Sequence, residues 1–187
     1  MSRPLFFSTL FLLSLFTISA EDADALHPRK KIPSFGIEGP FRHTVIPAKA
    51  IEALNEAAKQ DGWEQPCEFN AWEVDLNGDG MTDYVVSDSG SCIGADIGPI
   101  WIVLNEGGNY RVVLATSGHD IDLLPGKTHG LKNIEIHGSA ATIEYVTRYR
   151  YRKGEYQPAR CWEVEHTTGK RTYDDCKEWY KKSSPRK

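Results

Sequence analysis

Hydrophobic and polar positions along this chain repeat with two different periods, and the change falls near Trp63. Ahead of it, AKAIEALNEAAKQDGW puts Ile51, Leu54, Ala57 and Ala58 on one stripe at the spacing of a helical face, with Gly62 where such a helix would stop. This predicts one amphipathic helix over about residues 47–60. Beyond Trp63 the period becomes two. FNAWEV (69–74), DYVVSD (83–88), PIWIVLN (99–105), YRVVLAT (110–116), NIEIHG (133–138) and TIEYVTRYRYR (142–152) are rich in β-branched and aromatic residues, and Gly, Asn, Asp or Pro fill the gaps. Short connections between successive strands predict an antiparallel meander, with tight turns at EGGN (106–109) and RKGEY (152–156). The tail alternates weakly and then takes a helical look at Tyr173–Tyr180, which predicts a short disulfide-tethered helix. The expected fold class is α+β: an N-terminal amphipathic helix packed on a curled antiparallel β-meander, with a disulfide-braced C-terminal appendage.

The ends of the chain change this picture. Residues 1–20 carry one charge, Arg3, then an apolar run from Leu5 to Phe16, then the small residues Ser19 and Ala20. That is the form of a secretory signal peptide. A membrane anchor would want about 20 consecutive apolar residues, and Ser8, Thr9 and Ser14 interrupt this run. Cleavage after Ala20 is therefore expected, leaving a protein with no membrane anchor that is secreted or periplasmic. Residues 21–45, with Pro28, Pro33, Gly36, Gly39 and Pro40, read as an irregular lead-in. A single β-rich domain is expected over 46–180, followed by a basic tail at 181–187.

Charge and cysteines narrow the class further. The formal charge of −4 becomes −5 once Arg3 is removed, and the signs are mixed along the length. Only the tail Lys181, Lys182, Arg186, Lys187 is a basic block, so nucleic acid is not an expected partner. The four cysteines, Cys67, Cys92, Cys161 and Cys176, are an even set in a chain read as exported, which favours disulfides. Three pairings are possible. Sequence neighbours, Cys67 with Cys92 and Cys161 with Cys176, close modest loops worth about 3 kcal/mol each in the chain-entropy account. No C-x-x-C pair is present to suggest structural zinc.

The sharpest chemistry lies in VDLNGDGMTDYVV. Counting from Asp75, side-chain oxygens fall at positions 1 (Asp75), 3 (Asn77), 5 (Asp79) and 9 (Asp83), Gly80 allows the reversal at position 6, and the Met81 carbonyl takes position 7. Calcium wants six to eight hard oxygens, and alternate residues of a tightly coiled loop aim theirs at one centre. Position 12, where an EF-hand carries its bidentate Glu, is Val86 in a predicted strand, so an EF-hand is not expected. The bland reading is an Asp/Asn/Gly hairpin without metal. The number of protein oxygens favours calcium over magnesium.

With Asp83 as the closing carboxylate, the loop resembles the strand–loop–strand calcium site of FG-GAP or VCBS repeats. The stretch CEFNAWEVDLNGDGMTDYVVSDSGSCIG followed by PIWIVLNEGGNYRVVL is similar to small exported bacterial proteins with one such segment and no assigned activity. The likeness spans about residues 63–158 and implies a calcium-stabilised β module but no reaction. The motif occurs once, where a closed propeller would repeat it.

Other candidates are weaker. His119, His129, His137 and His166 invite a catalytic or zinc reading, and His119 beside Asp120 is a potential acid–base pair in a loop between two strands. The His-x-x-x-His and His-Glu-x-x-His spacings are absent, and isolated histidines in polar loops are usually solvated. Ser87, Ser89 and Ser91 lack a G-x-S-x-G elbow and read as a bridge corner. In the strand 142–152, Tyr145, Tyr149 and Tyr151 should face the core, with Arg148, Arg150 and Arg152 on the other face, meeting water or an acidic or carbohydrate partner. The expected function is a monomeric, calcium-stabilised, non-enzymatic binding or inhibitor-like module for a protein or glycan. The alternative is a small periplasmic hydrolase using His119 and Asp120.

Overall fold

A computed structural model describes residues 34–36, 44–60, 68–89 and 98–177, all within one compact unit spanning 32–187. The helix α1 (Ala48–Gln60) is followed by strands that form two antiparallel sheets. The four-stranded sheet runs β2 (Phe69–Val74), β3 (Asp83–Asp88), β4 (Gly98–Asn105), β5 (Tyr110–Gly118) in chain order. The six-stranded sheet has the order β1 (Ser34–Gly36), β6 (Asp120–Thr128), β7 (Leu131–Ala140), β8 (Ile143–Arg152), β9 (Glu155–Glu165), β10 (Arg171–Asp174). The expected single curled meander is thus two meanders. The break falls where β5 passes into β6 through His119 alone. At that corner Gly118 is obligatory: a Cβ there would stand 2.6 Å from Ile136 Cγ2 and 2.7 Å from the His137 carbonyl. The His119 N–H donates to that same carbonyl at 2.8 Å.

Two cores result. Leu76, Val85, Ile100, Ile102, Ile121, Ile134, Ile136 and Tyr149 belong to the core where the two sheets meet. A second joins α1 to the other face of the four-stranded sheet, through Ala50, Leu54 and Ala58 against Ala71, Tyr84, Val86, Trp101 and Val103. The central strands β3 and β4 are apolar on both faces because both are covered, which is why they read as continuous hydrophobic runs. The buried helical stripe is Ala50, Leu54, Ala58, with Ala57 at its margin. Ile51, expected inside, is 38% exposed, so the true stripe is turned by about one position. Each fully buried aliphatic side chain contributes roughly 1.5–3 kcal/mol, so these cores outweigh any single crosslink.

The other departures have local causes. β6 escaped the strand pattern because Pro125 and Gly126 sit where its pairing with β7 shifts, between Leu123 and Lys127. In the expected lead-in, Ser34–Gly36 pairs with β6, Phe35 opposite Ile121. In the tail, Tyr173 and Asp174 are not helical but lie in β10, opposite Trp162 and Cys161. The Cys161–Cys176 disulfide forms as expected, with Cα atoms 5.2 Å apart, and ties the chain just after β10 to β9. Cys67 and Cys92 lie outside the described residues, as do the expected signal peptide and basic tail. No helix among the described residues is long and apolar enough to cross a membrane.

Candidate metal sites on the two sheets

The loop between β2 and β3 is coiled by its own side chains. Asp75 accepts from the backbone N–H of Gly78 at 2.6 Å and of Gly80 at 3.2 Å. Asn77 Oδ1 accepts from Asp79 N–H at 3.0 Å, and Asp79 Oδ1 from Met81 N–H at 2.8 Å. Gly78 and Gly80 take positive φ, which the reversal requires. These backbone donors, first that of Gly78, hold the Asp75 carboxyl below its usual range, with Lys132 adding to the effect. Asn77 Nδ2 donates to Asp79 Oδ2 at 2.7 Å.

Asp83 is the fixed point of this loop. It is completely buried at the start of β3, and its two oxygens accept from Leu76 N–H and Asn105 N–H, each at 2.9 Å. Burial pushes its carboxyl up, the two N–H donors oppose that, and the charges of Asp79 and Asp75 push it further up. The loop is also the seam between sheets. The Leu76 side chain enters the inter-sheet core, its carbonyl accepts from Lys132 N–H of β7 at 2.9 Å, and Lys127 Nζ of β6 donates to the Asn77 carbonyl at 2.8 Å.

A second cluster lies on the outer face of the six-stranded sheet, away from the inter-sheet core. Register sets Asp120 opposite His137, Asp122 opposite Glu135, and Glu135 opposite Arg148. His137 Nδ1 meets Glu144 Oε1 at 2.7 Å, and its Nε2 stands 3.3 Å from Asp122 Oδ2. The second contact is an ion pair that falls short of an aligned hydrogen bond at the buried Nε2. Burial drives the His137 imidazole down, but the flanking carboxylates of Asp122 and Glu144 outweigh it, and the group is pushed up to about 9. Arg148 grips Glu135 Oε1 through Nε at 2.7 Å and Nη2 at 2.6 Å, and its guanidinium lies over Trp162.

Among the described residues, Asp122, Glu135 and His137 form a group whose ligand atoms all lie within 4.8 Å of one another, a set that could hold a metal ion. Asp75, Asp79 and Asp83 are not gathered that tightly. Of the histidines, His129 serves the β6–β7 turn at positive φ, and His166 N–H donates to the Thr142 carbonyl. His119 and Asp120 flank the corner between sheets and not a loop, and among the described residues no hydrogen bond or ion pair joins their side chains. The sheet-face cluster escapes sequence reading because β6 is not visible as a strand. The single local signal is the i, i+2 pair Glu135 and His137 in an alternating segment.

Among the described residues, fold and sites together define an antiparallel β protein of two sheets and one helix, braced by a disulfide, with an acidic loop at the sheet seam. No family model, no curated protein and no solved structure matches this chain.

Proposed function

We propose that this protein is an exported, non-enzymatic binding module in which Asp75, Asn77, Asp79 and Asp83 take up calcium and so lock the two sheets together. The observation that carries this reading is that the acidic loop is itself the inter-sheet joint: Leu76 fills the core, and Lys132 and Lys127 hold the loop's carbonyls. The donor set suits a hard cation, with three carboxylates, one amide oxygen and nearby carbonyls. The charges of Asp79 and Asp75, which help push the Asp83 carboxyl up, are what a divalent ion would offset. The FG-GAP/VCBS likeness of the motif, which rests on its residues alone, is part of this proposal. The Cys161–Cys176 disulfide suits an oxidising compartment outside the cytoplasm.

The partner is a protein or glycan that meets the outer face of the six-stranded sheet. There Arg150 is exposed, and Arg160 lies 4.4 Å over the ring of the exposed Tyr173. Such pairs combine charge with a flat apolar surface. The alternative, a hydrolase built on His119 and Asp120, has, among the described residues, no hydrogen bond or ion pair between those side chains to favour it. Thermal melting with calcium and with chelator tests the reading: calcium should raise the midpoint by several degrees, and Asp79→Ala should remove that rise. Equal midpoints in calcium and chelator would refute it.

A further inference from the structure

The outer-face cluster goes beyond the calcium reading, since its chemistry is mixed nitrogen and oxygen. We propose that Asp122, Glu135 and His137 form a second metal site, selective for a borderline divalent transition ion of the zinc type, with Glu144 orienting the imidazole from behind.

Three observations lead there. The first is His137 Nε2, which is buried, makes no aligned hydrogen bond and stands 3.3 Å from Asp122 Oδ2, its ion-pair partner. Two ligand atoms sharing one tetrahedral ion at about 2.0–2.1 Å stand about 3.3 Å apart. The 3.3 Å separation therefore also fits the edge of a zinc polyhedron. The second is the other ring nitrogen. Nδ1 meets Glu144 Oε1 at 2.7 Å, so Nδ1 keeps its proton there and Nε2 is the nitrogen that would release its own to solvent when an ion binds. A carboxylate behind a ligating histidine is the usual outer-shell arrangement. The third is Arg148, which fixes Glu135 beside Asp122 and keeps the second acid of the triad in place.

The ligand types exclude calcium as the preferred ion, because an imidazole nitrogen replaces one of the hard oxygens it needs. Three protein ligands leave a fourth position, open to water or to a donor atom from a partner lying on this face.

Titration of the full chain with Zn2+ in calcium-containing buffer, read by calorimetry, tests this without recruiting the Asp75–Asp83 loop. One equivalent should bind. His137→Ala should weaken binding by about a hundredfold or more, and Glu144→Gln, which removes only the orienting carboxylate, by about tenfold. Asp79→Ala should leave the affinity unchanged. Absence of zinc binding, or binding that survives both His137→Ala and Asp122→Asn, would overturn the proposal. Should His137→Ala fail to fold, nitrogen NMR of the histidine rings in the unmutated protein decides. One equivalent of Zn2+ should move His137 Nε2, and a response confined to any of the other five histidines would overturn the assignment.

Discussion

The acidic loop and the outer-face cluster both concentrate carboxylates, yet they balance that charge in opposite ways. In the loop, the balance is local: Asp75, Asn77 and Asp79 accept from backbone N–H groups two to five residues away. On the sheet face it comes from other strands, with His137 set between Asp122 of β6 and Glu144 of β8, and Glu135 held by Arg148. A turn can supply its own donors because its N–H groups have no ladder partners. A strand has already committed its backbone, so charges on its face must be met by side chains across the register.

The contrast is broken most severely at Asp83, the one loop acid that reaches outside the loop. Asp83→Ala would leave the N–H groups of Leu76 and Asn105 buried without acceptors, and each such loss costs roughly 1–3 kcal/mol. We expect a destabilisation of about 3 kcal/mol or more in urea unfolding, against a much smaller loss for the half-exposed Asp75→Ala. Equal losses would mean that Asp83 is no anchor.

A weaker effect should separate the sites by pH. His137 is raised from 6.5 in the unfolded chain to about 9 in the folded protein. Its protonated form therefore favours folding, with the contribution fully present below pH 6.5 and lost as the pH rises through 9. In chelator, stability should fall by an amount on the order of 2 kcal/mol across that window. His137→Ala should flatten this slope, whereas Asp79→Ala should keep it. A slope unchanged in His137→Ala would move its origin elsewhere.

The same contrast explains what sequence reading could reach. The loop was legible because its chemistry repeats within nine residues, and β2 through β5 because their apolar runs are separated by glycine-rich or acidic stretches of sequence. The helix was legible too, though Ile51 misled the orientation of its buried face, since a periodic stripe does not say which edge turns outward. The split into two sheets was not legible. It depends on Gly118 meeting Ile136 and His137, residues that are close only after β7 has paired with β6. The metal-competent triad was hidden for the same reason, because Asp122 faces Glu135 only through a strand whose Pro125 and Gly126 disguise it. The Cys161–Cys176 pair was reachable as a short closure, while the β pairing of Tyr173 with Trp162 depended on a register that alternation alone does not supply.

The most direct measurement is amide hydrogen exchange at Leu76 and Lys132, the donors that close the loop on Asp83 and dock it on β7. If calcium locks the seam, both amides should exchange at least about tenfold more slowly in calcium than in chelator. Asp79→Ala should remove the difference. Identical exchange at both amides in the two conditions would contradict the account.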